Sequence, residues 1–367
     1  MIQLNALSVA KALEVLNLKI VQQTHEGLFP SKVCNQPCIV ASRKIPGMPD
    51  TLHLLIPHAA HADEACRQAL KNLRLPHLDA LLQRLTLQDN TQSPDDALSA
   101  PHERALARAL GLPDDDGRTP WAAWELHQRG RTQDAQHSAW AFVTPCHWQV
   151  RTDHVTLSDP AALQLDEAAS RALLEVLAPW FAQDGVTLHY DRPTRWLAQG
   201  DTLADLATAS VERVLHRDVS HWLPGEHKAH PMRRLHSEMQ MLLYTHPWND
   251  AREAQGLPPV NAFWVHGAGR LDAPPPSTAT VPQVDARLQD AALRGDWPAW
   301  AQAWQALDAS ALAALHQQAA QGRNVRLTLC GERGALTWQQ APRSLGQKIQ
   351  SIFRPQRFAD MREQLCK

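Results

Sequence analysis

The chain has 367 residues, and its 36 lysines and arginines against 38 acids give a formal net charge of −2. So even a balance lacks the basic footprint of a nucleic-acid or anionic-membrane binder, and no apolar run approaches the ~18 residues of a membrane span. Hydrophobic residues at 44% and charged residues at 20% are ordinary for a folded protein, long enough for one large domain or two to three smaller ones.

The first 47 residues differ in composition from the rest. They hold four of the eight lysines but one of the 28 arginines, and all thirteen tryptophans lie after residue 120. This segment carries net +3 and the remainder −5. It predicts an extension with an amphipathic helix over 3–20 and a mobile Pro-punctuated linker over 22–47, with the working protein starting at Met48. From there a main α/β domain is expected over 48–272. A helical and hairpin part over 283–367 should pack on it, after a hinge at Pro274-Pro275-Pro276.

Leu52 to Ile56 reads as a buried strand ended by Pro57. Helices are expected over 62–71, 76–86 and 101–111, the last closed by Gly111, with a polar loop over 88–100 and a turn at Asp114 to Gly117. Strands follow between 139 and 157. Asp166 should cap a helix to about 183, ended by Gly185. A hairpin pairs 186–190 with 195–198, and Thr202 to His216 reads as a helix. Arg233 to Thr245 is the clearest helix, with Leu235, Met239, Leu242 and Leu243 on one face and Pro247 as its stop. Val260 to Val265 should be a strand closed by Gly267 and Gly269. Helices over 283–294 and 297–320 precede a hairpin of Val325–Cys330 and Ala335–Trp338, then a basic tail. The fold class expected is α/β, a mixed sheet flanked by helices.

The six cysteines, Cys34, Cys38, Cys66, Cys146, Cys330 and Cys366, are scattered and form no C-x-x-C pair. Reduced structural thiols in a cytoplasmic protein are the expectation. His58, His61 and Asp63 follow the first strand, where α/β folds place ligands, and are candidates for a metal. His227 and His230, in the loop before the helix Arg233 to Thr245, are further metal candidates. Asp153-His154 is an acid–imidazole neighbour pair. Gly267-Ala268-Gly269-Arg270 lacks the dinucleotide and Walker patterns but suits an anion, so no motif assigns a cofactor. The densest polar set surrounds the helix ending near residue 245. Ser237 and Gln240 share a face, as do Gln240 and Tyr244, with His246, Asn249, Asp250 and Arg252 in the turn beyond. With Asn261 and Arg270 at the strand, these nine residues are the ligand-site candidates; the alternative is a buried network fixing helix to sheet. Exposure of Trp297, Trp300 and Trp304 would instead mark a protein-partner surface.

At this cluster the sequence resembles a known family. The run Leu235-His-Ser-Glu-Met-Gln-Met-Leu-Leu-Tyr-Thr-His-Pro-Trp-Asn-Asp-Ala-Arg-Glu-Ala254, with Asn261 to Arg270, is similar to the RpfE-type regulatory proteins of proteobacteria. So are Thr144 to Val150, Asp153 to Pro160, His189 to Trp196 and Leu329 to Arg333. The resemblance spans residues 50 to 340. It implies a regulatory protein; together with the scattered cysteines and Arg270, the expectation is a cytoplasmic regulatory or ligand-sensing protein that binds an anionic small molecule or a protein partner. Some members carry the label of cofactor-independent phosphoglycerate mutase, which implies an alkaline-phosphatase-like fold and, as an alternative, a metal-dependent phosphotransferase. Such enzymes use an Asp after the first strand, a Ser or Thr nucleophile and Asp/His ligands for two metals. Here His58 stands where that Asp is expected, which implies a degenerate site. A protein-interaction scaffold is the third alternative.

Overall fold

A computed structural model describes residues 51–223, 230–276, 280–341 and 358–366. The extension 1–47, the loop carrying His227, the His230 side chain and the tail 342–357 lie outside the described residues.

Eleven strands form in the described residues. They are β1 (Leu52–Ile56), β2 (Thr86–Gln92), β3 (Trp140–Cys146), β4 (Trp148–Val150), β5 (Val155–Leu157), β6 (Thr187–Arg192), β7 (Arg195–Gln199), β8 (Ala262–Gly269), β9 (Gln283–Val284), β10 (Val325–Cys330) and β11 (Gly334–Gln339). A five-stranded mixed sheet has the order β2-β11-β10-β1-β9, and an antiparallel four-stranded sheet has the order β6-β7-β3-β8. β1 runs parallel to both β10 and β9, with Leu54 opposite Leu327 and Gln283. The carboxyl ends of three parallel strands therefore open on one edge, the usual ligand edge of an α/β sheet. The expected mixed α/β class is what the structure shows.

Alternation along β1 sorts its side chains between two cores. Leu54 and Ile56 join the larger core, with Trp300, Trp304 and Trp338 and the helices Pro76–Leu82, Trp297–Leu307 and Phe358–Cys366. Leu55 faces the other way, against Ala105. The helix Pro101–Leu110 bridges the two sheets. Its Ala105 packs on the five-stranded sheet, while Ala107 and Leu110 pack with Trp140, Phe142 and Leu197 of the four-stranded one. Gly111 ends this helix at φ +72°, the left-handed cap that glycine adopts without a Cβ penalty. The far face of the four-stranded sheet is covered by Glu167–Gln183 and His230–Tyr244. Asp166 caps the first of these by accepting from the Ala169 amide at 2.7 Å.

Four elements differ from expectation. Residues 86–92 are an edge strand; their exposed polar side chains suit a solvent-facing edge. Thr202 to His216 is no continuous helix but a 3-10 turn at Asp201–Leu203 and one short turn at Val211–Val214. Tertiary bonds hold it open: the Thr208 amide donates to Gly117 O at 2.9 Å, and buried Arg213 donates to the Ala97 and Asp95 carbonyls. Residues 283–294 split into β9 and the helix Gln289–Leu293. Pro247 does not only stop a helix. It opens the next, Pro247–Glu253, where its missing amide costs nothing. Among the described residues no helix is long and apolar enough to cross a membrane.

Candidate functional site

The nine residues of the expected polar cluster do not share a site. β8 separates Asn261 from Arg270, a span of about 30 Å at the rise of an extended strand. Arg270 is exposed and paired with Asp272 at 3.0 Å. Tyr244 is 84% exposed. Ser237 donates to the Arg233 carbonyl of its own helix, Gln240 is half-buried and Asp250 is exposed. His246 Nδ1 accepts from the Trp248 amide and caps the next helix. Three members are buried or half-buried and bind backbone. Asn249 donates to Leu243 O and Val260 O and accepts from Val260 N, at 2.7–2.9 Å. Arg252 donates to the Pro258 and Leu163 carbonyls. Asn261 clasps both backbone groups of Trp148. The bonds of these three tie the helix Pro247–Glu253 and the start of β8 to neighbouring backbone. The length of β8 keeps Asn261 and Arg270 at opposite ends of the strand, so these two do not line one pocket.

Other sequence signals also resolve. Asp153 and His154 occupy the turn between β4 and β5, in contact at 2.6 Å but at the surface. Trp297, Trp300 and Trp304 are all buried, so they present no partner surface. Among the cysteines, Cys66, Cys146 and Cys330 are buried, and burial pushes the Cys66 thiol up to about 12, which makes it a poor nucleophile.

The polar centre lies instead where β1, β9 and β10 end. His58 follows β1, His102 and Glu103 open the helix Pro101–Leu110, and Glu212 comes from Val211–Val214. Glu212 Oε2 sits 3.2 Å from His58 Nε2 and 3.3 Å from His102 Nε2. Its other oxygen is held by Gln289, just beyond β9. The His58 carbonyl accepts from Trp300 Nε1 at 2.9 Å. Beside this group, Glu332 in the β10–β11 turn accepts from the Ala62 amide at 3.0 Å and pairs with His61 at 3.4 Å and Arg217 at 3.2 Å.

Burial opposes the Glu212 charge, but His102, His58 and Gln289 outweigh it and hold its carboxyl at about 2. Burial drives His102 down to about 4 against the pull of Glu212. It pushes Glu103 up to about 7, although the Ala100 amide donates to that carboxylate at 2.7 Å. Burial also holds His61 below its ordinary value, with Glu332 opposing. His61 Nδ1 accepts from the Asp63 amide, so in the neutral ring Nε2 carries the proton and faces Glu332.

Among the described residues one group of three donors is close enough to share an ion: His58, His102 and Glu212, all within 4.8 Å of one another. Of the three expected metal candidates only His58 belongs to it. His61 is committed to Glu332, and Asp63 caps the helix Glu64–Asn72 by accepting from the Ala65 amide. The two-metal, Asp-rich set implied by the mutase label is not met by these residues. His102, Glu212, Gln289 and Glu332 were invisible as a site in the sequence, because 44 or more positions separate each from His58. Only Glu332 lay in a motif singled out beforehand, Leu329 to Arg333.

No protein-family model matches the chain, and no curated protein matches it. Solved structures do. A cofactor-independent phosphoglycerate mutase from Thermoplasma acidophilum is 13% identical, with 79% of this chain and 89% of that one covered and a TM-score of 0.35. The PH0037 protein from Pyrococcus horikoshii is 12% identical over 80% of this chain and 88% of its own, at a TM-score of 0.36.

Proposed function

We propose that the chain is a cytoplasmic ligand-sensing protein of the RpfE-type regulatory family, and that its ligand is a small anion taken at the carboxyl edge of the five-stranded sheet. The orientation of the ion pairs there carries this reading. Glu332 is the less exposed partner of both its cations, at 16% against 39% for Arg217 and 31% for His61. An anion arriving from solvent meets guanidinium and imidazole before it meets carboxylate. Arg217 has spare donors in a planar fork suited to phosphate or carboxylate. A second reading, a metal-dependent phosphotransferase, is favoured by the two imidazoles and the carboxylate at the same edge. The scaffold reading has lost its tryptophan surface to the core.

Calorimetric titration with inorganic phosphate tests the proposal on the full chain and on Arg217→Ala. The wild type should bind. The variant should bind at least about tenfold more weakly, since a hydrogen bond to a charged group is worth about 1.5–3 kcal/mol. A wild type that takes up no phosphate, or a variant that binds it equally well, would reject the anion site.

A further inference from the structure

Beyond the anion reading, and without depending on it, we infer that His58, His102 and Glu212 bind one divalent ion of the zinc class. A tetrahedral ion with bonds of about 2.0–2.1 Å holds its donors about 3.3–3.4 Å apart. The two imidazole Nε2 atoms stand 3.2 and 3.3 Å from the same Glu212 oxygen, and all three donors fall within 4.8 Å. Two of the three edges of the ligand triangle are thus already at bonding length, and the third closes by moving one imidazole. Two imidazoles and one carboxylate are a borderline set that selects zinc, cobalt or nickel over magnesium or calcium, which take oxygen. Three protein donors leave a fourth position, and all three side chains keep partial exposure, 18% for His58, 15% for His102 and 23% for Glu212.

The surrounding groups hold the ligands as the outer partners of a metal site do. Gln289 takes the free oxygen of Glu212 and leaves Oε2 toward the imidazoles. Trp300 Nε1 fixes the His58 backbone through its carbonyl. Independently, His58 is one of three described non-glycine residues with positive φ, at +54°. Such strain persists where surrounding structure enforces it, and it gathers at ligand sites. A plain hydrogen-bonded triad is the competing description. It needs both imidazoles to present a proton to one carboxylate oxygen, whereas an ion satisfies all three donors at once.

The test strips the full chain with a chelator and titrates it with Co2+, following both heat and the visible spectrum. One equivalent should bind with the intense absorption of a tetrahedral site, and excess Mg2+ should not displace it. His102→Ala and Glu212→Gln should each weaken binding at least about tenfold, since even an outer-shell partner is worth 10–100-fold. Circular dichroism and the unfolding midpoint check that both variants are folded. His137→Ala, which removes an exposed imidazole bonded only to the Gln133 carbonyl of its own helix, should bind as the wild type does. No binding by the wild type, displacement by Mg2+, or undiminished affinity in two folded ligand variants would overturn the site. Phosphate uptake by the metal-free chain would still stand as evidence on the anion reading, so the two can fail separately.

Discussion

Glu103 and Glu212 share one crevice with opposite tendencies. Burial lifts the first to about 7, while two imidazoles and an amide hold the second at about 2. Neighbours, not residue type, set which carboxylate keeps its charge. The same principle gives a pH prediction. His53 and His266 are pushed down to about 3, first by burial and then by nearby arginines. Their folded values lie below the unfolded value of 6.5, so as pH falls the unfolded chain takes up these protons first. The stability they contribute is present above pH 6.5 and is lost down to about pH 3, at roughly 1.4 kcal/mol per pH unit for each ring. Urea midpoints should fall between pH 6.5 and 4, and His266→Gln should flatten the slope; a midpoint that holds or rises would contradict this. Asn249 offers a second residue-scale check. Its three backbone bonds are buried, so Asn249→Ala should destabilise by about 2–4 kcal/mol in urea unfolding.

At the scale of elements, the C-terminal helix Phe358–Cys366 braces the turn that carries Glu332. The Arg333 amide donates to Leu365 O, and Gln92 Nε2 donates to Gln364 O at 2.7 Å. A Cβ on Gly331 would stand 2.2 Å from Leu365 O. Gly331→Ala should therefore displace the helix and cost about 1–3 kcal/mol, seen as a lower unfolding midpoint and earlier proteolytic loss of the C-terminus; an unchanged midpoint would show that the contact yields freely. Elements with a clean period were legible in advance. β1 announces itself by a short apolar run ended by Pro57, Pro101–Leu110 by its closing Gly111, Glu167–Gln183 by its capping Asp166 and the β10–β11 hairpin by the glycine-bounded turn Gly331–Gly334. The strand at 86–92 was not, because its residues are polar on both faces and only pairing with β11 makes it a strand. Thr202 to His216 misled for the reverse reason. Leu203 and Leu206 enter one core and Val214 another, so a helical spacing in sequence was divided between two places in space.

For the whole molecule, the composition break near residue 48 coincides with the boundary of a compact unit, Pro49–Lys367. A chain beginning at Met48 should unfold cooperatively with the midpoint of the full chain; a markedly lower midpoint would make residues 1–47 part of the fold. The fold class was readable because β and helical periods alternate along the chain. The site was not, since Glu212 and His102 reach His58, and Gln289 reaches Glu212, only through tertiary packing of segments far apart in the chain. Anomalous scattering at the zinc edge, from crystals of the full chain soaked in zinc, locates the chemistry directly. The expected result is one peak about 2.0–2.1 Å from His58 Nε2, His102 Nε2 and Glu212 Oε2. Zinc found only elsewhere, or no peak at this edge, would remove the carboxyl ends of β1, β9 and β10 as the metal centre.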